Sequence, residues 1–373
     1  MKSHLLPEGF RDSLPELAEK EFLIISKFVS FMIQNDFFLV KPPLAEFEKS
    51  LFFLNKNLRN NNSFRLLDPI SQKMMGLRSD MTTQIARISC GSLKEYKRPL
   101  RISYSGEILK VKNSQLNISR QYTQIGAELI GIKNSSQEVE VINLLILILE
   151  LLKIKNFSIV FSMPSLIESI CLDYQLDKEK FLFLKEKYEN KNVLGLKSIS
   201  DDLAKDSEIL LRCVGDLSLN VSKLKKYSFK KHTKSKINSF LKSILYIKKK
   251  LGNIKLNIDL IDVDEFGYHN GITFKIYSKK FMELFNGGKY KVNDEDSIGF
   301  SGLLENLVNE CSLKSLSKRI LVSSFISNED RMKLIKKGYK LVNSYKFNDL
   351  QSIKKIAIKN KCNSIFYRNK ILN

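Results

Sequence analysis

With 373 residues, 43% of them hydrophobic, the chain has enough material for two or three packed domains and reads as an ordinary globular protein. Its five cysteines lie far apart with no CxxC pair, and it has three histidines, which argues against a disulfide framework, a structural zinc site and a His-based metal centre, and no cofactor is expected. The formal charge of +22 invites a nucleic-acid partner, but Lys, Asn and Ile are abundant along the whole chain, a drift that raises the pI without implying one.

Met1-Lys2-Ser3-His4 opens no signal-peptide pattern, so a cytoplasmic protein is expected. Residues 14 to 35 place Leu17, Phe22, Ile25, Phe28, Val29 and Met32 at helical spacing, with Pro15 in the first turn. An extended Phe38 to Pro43 follows and ends at two prolines. The tract Asn60-Asn61-Asn62-Ser63 is the best candidate for an exposed loop. Phe64 to Asp68 and Met75 to Arg78 read as strands, and Met81 to Ile88 as a helix. Arg101 to Glu107 and Gln121 to Ile130 alternate polar with apolar residues, predicting an antiparallel hairpin around a polar loop, Asn113 to Ser119. The helix Gln137 to Leu152 follows. Its apolar stretch, Val141 to Leu152, is broken by Asn143 and Glu150 and is shorter than the ~20 residues that cross a bilayer, so no membrane association is expected.

Residues 155 to 250 read as a mainly helical insertion, and their lysine cluster, Lys223 to Lys236 with Lys248 to Lys250, has few aromatics to stack on bases. Solvated helix faces account for it better than an RNA groove. Strand-like alternation returns at Lys255 to Asp262, Thr273 to Tyr277 and Ser297 to Ser301, then a helix from Gly302 to Cys311. The tail alternates strand and helix: Ile320 to Ser323, Glu329 to Lys337, Lys340 to Val342, Leu350 to Asn360 and Ser364 to Tyr367. The expected domains are 1 to 312 and a small α/β appendage, 313 to 373.

Several blocks, in this order, resemble class II aminoacyl-tRNA synthetases of the histidyl type. Leu6 to Asp12 and Pro42-Pro43 resemble the N-terminal part and the first motif, whose proline sits at a dimer interface. Gly76-Leu77-Arg78-Ser79-Asp80-Met81-Thr82 resembles the block whose acid and Thr hold the amino group of histidine. Gln121 to Glu128 resembles the strand closing the second motif, with Gln124 and Glu128 where the histidine-binding Gln and Glu stand. Tyr268-His269-Asn270-Gly271-Ile272-Thr273-Phe274 and Gly287-Gly288-Lys289-Tyr290 resemble the blocks that finish the pocket. The resemblance covers about 1 to 310 and implies an α+β fold with a mixed, mainly antiparallel sheet flanked by helices.

The departures carry as much information. Adenylate formation calls for fixed guanidinium groups on the triphosphate and its transition state. The second-motif Arg-x-Glu aligns here with Lys110-Val111-Lys112, the histidine-specific arginine with Asp264, and the third-motif arginine with Asn306. The tail is also shorter than an anticodon-binding domain. Within this superfamily, such a chain is similar to the regulatory subunits of ATP phosphoribosyltransferase, whose Ser-Arg-Glu block resembles Ser119-Arg120-Gln121 onward, with Gln121 where that block has Glu. The resemblance implies no catalytic residues, a short-form catalytic partner, dimerisation within a hetero-oligomer, and histidine as effector. The rival reading is an RNA-binding or aminoacylating synthetase relative.

Each site residue also has a purely structural reading. Asp80 and Thr82 suit a helix cap. Glu128, among Ile125, Ala127, Leu129 and Ile130, needs a partner for its carboxylate, which a bound amino acid would supply. Tyr268 and His269 suit sheet packing, and Gly287-Gly288 suits either a hairpin turn or close backbone approach to a ligand. Arg78 and Arg120 suit surface ion pairs or contacts to a ligand carboxylate or phosphate.

Overall fold

A computed structural model describes residues 5–51, 63–111, 119–134, 136–252, 254–263, 268–313, 318–346 and 349–372. The expected loop residues Asn60 to Asn62, most of the Asn113 to Ser119 loop, and the aligned positions Lys112 and Asp264 lie outside them. The chain forms two compact units, Met1–Leu313 and Lys314–Asn373.

The first unit begins with α1 (Pro15–Gln34), which buries Ile24, Phe28 and Met32 on a single i, i+4, i+8 stripe. After β1 (Phe38–Leu39) come β2 (Ala45–Phe47), α2 (Glu48–Leu51), β3 (Arg65–Leu67) and β4 (Met74–Leu77), and β2, β4 and β3 make a small antiparallel sheet. Next are α3 (Thr82–Cys90), the hairpin strands β5 (Leu100–Leu109) and β6 (Gln121–Ile130), and α4 (Ser136–Leu151). Helix α4 buries residues almost all round, Val141, Ile142, Leu144, Leu145, Ile148 and Leu149 among them, and so lies inside the main core.

The insertion holds α5 (Leu166–Tyr174), α6 (Lys178–Glu189), α7 (Asp201–Arg212), α8 (Leu217–Lys226) and α9 (Lys231–Leu251), but it also holds β7 (Ser158–Ser162) and β8 (Gly215–Asp216). Strand β7 sits between β10 and β9. Its short run, Ser-Ile-Val-Phe-Ser, lies between Asn156 and Pro164, residues that could have marked it as a strand among the helices. Part of the lysine cluster has a local role. Lys234 Nζ donates to the carbonyls of Leu224, Lys225 and Tyr227 at the end of α8, where the helix dipole favours a cation. Asp173 accepts from the His232 and Thr233 amides at 3.0 and 2.7 Å and so caps the start of α9.

The unit closes with β9 (Leu256–Ile258), β10 (His269–Tyr277), β11 (Glu283–Val292), β12 (Glu295–Leu303) and α10 (Leu304–Glu310). Among the described residues, nine strands form one sheet in the order β1-β5-β6-β12-β11-β10-β7-β9-β8. Neighbours from β5 to β7 are antiparallel, while β1–β5 and β7–β9 are parallel. Gly287 and Gly288 lie inside β11, paired with β10 on one side and β12 on the other, so the hairpin-turn reading is overturned. A Cβ on Gly287 would run into the Gly299 carbonyl, and one on Gly288 into Thr273.

The second unit has β13 (Lys318–Ser323), α11 (Asn328–Lys336), β14 (Tyr339–Ser344), α12 (Leu350–Lys359), β15 (Ser364–Tyr367) and β16 (Lys370–Leu372). Strand β13 runs parallel to both β14 and β15, and β16 adds an antiparallel edge. Alternate residues of β13 serve separate cores: Leu321 packs with Ile353 of α12, and Ile320 and Val322 with Leu334 of α11. Among the described residues, no helix is long and apolar enough to cross a membrane.

Candidate functional site

The period of two along β6 divides its residues. Ile125, Ala127 and Leu129 join the main core, while Tyr122 and Ile130 join a second cluster with Tyr104 and Tyr290. Gln124, Gly126 and Glu128 share that second face. Register then sets their neighbours across the sheet: Glu128 pairs with Ile102 and Gly299, and Gly126 with Tyr104 and Ser301.

Glu128 is 1% exposed, and its carboxylate accepts from Tyr104 Oη at 3.0 Å and Tyr290 Oη at 2.7 Å. Burial pushes its acid up to about 8 against the downward pull of the Tyr290 and Tyr104 hydroxyls, with Asp80 adding repulsion. Both phenols are raised in turn, by burial first and then by Glu128. The partner that sequence reasoning assigned to a ligand cation is therefore supplied by two tyrosines. Neither had been singled out, although Tyr104 falls on the predicted hairpin and Tyr290 closes the Gly287-Gly288-Lys289-Tyr290 block. The floor beneath the carboxylate must be glycine, because a Cβ on Gly299 would overlap Glu128 Oε2 and one on Gly126 the Tyr104 hydroxyl.

Asp80 and Gln124 form the adjoining half. Gln124 Nε2 donates to Asp80 Oδ1 at 2.7 Å, and its Oε1 accepts from the Met81 amide at 2.8 Å. Asp80 Oδ2 accepts from the Thr82 amide at 3.1 Å in an Asx turn one residue ahead of the α3 N-cap, Met81, so Asp80 leads into the helix without being its cap. Thr82 Oγ1 stands 3.4 Å from Asp80 Oδ1 and 3.3 Å from Tyr104 Oη, which links the two halves. Tyr268 and His269 stack with ring centroids 4.5 Å apart, and Tyr268 meets Tyr290 edge-on at 5.8 Å. Thr82, Glu128, Tyr268, His269 and Tyr290 line one depression of about 220 Å³. A neighbouring depression of about 500 Å³ is lined by Asp80, Lys110, Gln124, Asn286, Ser301 and Asn306, and the two share Asn286 and Ser301.

The structure thus brings together Asp80, Thr82, Gln124, Glu128, Tyr268 and His269. Arg78 and Arg120 are engaged elsewhere. Buried Arg78 donates through Nε to the Glu107 carbonyl at 2.6 Å and through Nη1 to the Pro42 carbonyl at 2.9 Å. Arg120 packs over the rings of Phe64 and Phe10 at 4.6 and 5.8 Å. The substituted positions Lys110 and Asn306 line the second depression, and each also touches protein. Lys110 Nζ lies 5.9 Å from the Tyr122 ring, and Asn306 Nδ2 donates to the Glu283 carbonyl at 2.8 Å. Sequence reasoning missed Glu305, whose Oε1 accepts from the Thr123 amide at 3.1 Å while burial raises its acid to about 7.

Comparison with known proteins agrees with this architecture. The family described as histidyl-tRNA synthetase matches residues 9–307. A regulatory subunit of ATP phosphoribosyltransferase from Paramagnetospirillum magneticum is 31% identical over 77% of this chain and 76% of its own length. One from Gluconobacter oxydans is 31% identical over 91% and 90%. Among solved structures, an ATP phosphoribosyltransferase regulatory subunit/histidyl-tRNA synthetase from Bacillus halodurans superposes with a TM-score of 0.80 at 22% identity, covering 95% of this chain and 97% of its own. A histidyl-tRNA synthetase from Nostoc sp. PCC 7120 reaches 0.79 at 14% identity, covering 98% and 91%. At these identities the two structures speak for the fold alone. The sequence relatives and the family match go further: the chain belongs to the histidyl-tRNA synthetase family, on the branch of the ATP phosphoribosyltransferase regulatory subunits.

Proposed function

We propose that the chain is the non-catalytic regulatory subunit required by a short-form ATP phosphoribosyltransferase for the first step of histidine biosynthesis, the joining of ATP to phosphoribosyl pyrophosphate. The observation that carries the reading is a contrast inside one cleft. The cluster of Asp80, Gln124, Glu128, Tyr104 and Tyr290 is buried and hydrogen-bonded, whereas two positions where a synthetase would need guanidinium groups hold Lys110 over a ring and Asn306 on a backbone carbonyl. A pentavalent phosphoryl transition state would find no bidentate clamp at either position.

On this reading free histidine occupies the pocket. Its ammonium group meets Asp80 and Thr82, and Gln124, Glu128, Tyr268 and His269 surround the rest. Inhibition follows from linkage: histidine binds the inhibited assembly more tightly than the active one, and the partner's substrates oppose it by the same factor. Self-association through the first-motif region is supported by exposed apolar side chains there, Phe38, Leu39, Leu44 and Phe47.

The test is phosphoribosyl-ATP formation by the cognate catalytic subunit, with and without this chain, then with histidine. Stimulation that histidine suppresses is the expected result. No effect on a competent catalytic subunit rejects the assignment, and histidine-dependent ATP/pyrophosphate exchange by this chain alone would replace it with an aminoacylating one.

A further inference from the structure

A second polar groove lies away from the Glu128 cluster. Along β11, Lys289 alternates with Tyr290 and points to the face opposite that cluster. There its Nζ pairs with Glu138 Oε1 at 3.0 Å, in the first turn of α4. Helix α9 forms the other wall with Lys236, Ser239 and Ser243, which at i, i+3 and i+7 share one side of the helix. The depression these residues line measures about 620 Å³. It continues past Ser239 and Ser243 into a second of about 1040 Å³, lined by Lys242 and by Ser136 at the start of α4.

Two features point to a ligand. Glu138 is 4% exposed, and its Oε2 is buried with no hydrogen-bond partner among the described residues. A buried carboxylate oxygen calls for a donor, and Glu138 is one of the residues that line the groove. A hydroxyl suits it better than an ammonium group, because Lys289 already neutralises the carboxylate. Lys236 and Lys242 form no ion pair among the described residues, and they stand beside the amino-terminal end of α4, where the helix dipole favours an anion.

We propose that this groove binds a phosphate ester of a polyol, a sugar phosphate whose phosphate meets Lys236 and Lys242 and whose hydroxyl donates to Glu138 Oε2. The site is independent of the histidine reading, since the two share no residue. It is tested by calorimetric titration of the full chain with ribose 5-phosphate, and separately with inorganic phosphate and with ribose. Ribose 5-phosphate is expected to bind saturably and more tightly than either fragment. The double variant Lys236→Ala/Lys242→Ala, which alters only side chains without ion-pair partners, should weaken it by about tenfold or more. Glu138→Gln should erase the advantage over inorganic phosphate while leaving phosphate itself unchanged. Absence of saturable binding at millimolar ribose 5-phosphate overturns the proposal, as does unchanged affinity in the double variant or inorganic phosphate binding as tightly as the ester.

Discussion

Replacing Glu128 with Gln should stabilise the free protein at alkaline pH. The folded chain holds the Glu128 proton up to about pH 8, because burial opposes the charge, whereas an exposed glutamate releases it near 4.5. Between those values the native state binds more protons than the unfolded one, so this contribution is full below pH 4.5 and is lost as pH rises through about 8. At about 1.4 kcal/mol per unit, the window of about 3.5 units caps the loss at about 5 kcal/mol. Glutamine presents the neutral form at every pH, and like the protonated acid it offers an acceptor to one tyrosine hydroxyl and a donor to the other, which turns to accept. Parent and variant should therefore unfold alike in urea near pH 4.5, diverge steadily up to about pH 8 and run parallel above it, with the variant the more stable. Adding histidine should reverse the ranking, because an ammonium group held on Asp80 relieves the repulsion between Asp80 and Glu128 and so favours the charged carboxylate that only the parent has. A constant offset between the two pH curves would refute the reasoning.

Gly299→Ala should abolish histidine binding in calorimetry, because the new methyl overlaps Glu128 Oε2 and forces the carboxylate off its two tyrosines; unchanged affinity would reject that packing. Arg87→Ala should cost about 2 to 4 kcal/mol in urea unfolding, somewhat less than a fully buried pair, since Arg87 is 30% exposed while Glu46 is 7%. A loss below about 1 kcal/mol would place that bidentate pair among ordinary surface bridges. Glu305→Gln should flatten the stability profile between about pH 4.5 and 7, with the same sign as Glu128, because burial raises Glu305 to about 7. Profiles that stay parallel to the parent would show that Glu305 titrates normally.

Long periodic segments were legible in the sequence. The spacing from Leu17 to Met32 gave α1, and the alternation in Arg101 to Glu107 and Gln121 to Ile130 gave β5 and β6. The same alternation put Gln124 and Glu128 on one face. What could not be read was which strands lie beside them. Tyr290 reaches Glu128 across 162 positions of chain, a relation set by strand order and not by spacing. The interior strand β7 stayed hidden because its five residues, set among helical segments, are too few to show a period. Arg78 and Arg120 misled for a related reason. A guanidinium satisfies backbone carbonyls or lies on aromatic rings as readily as it holds a ligand, and nothing in the neighbouring sequence tells these roles apart.

Arg78 has a consequence of its own. One rigid side chain ties the carbonyls of Pro42 and Glu107 together two residues before Asp80, and Gln84 adds a second tie from its Nε2 to the Pro43 carbonyl at 2.8 Å. The prolines follow the exposed Phe38 and Leu39, so whatever seats that apolar edge also loads the strut that positions the acid. Dilution should therefore act as an antagonist: if two copies meet at this edge, histidine affinity should fall at protein concentrations where the copies separate, and affinity measured on either side of that threshold should differ.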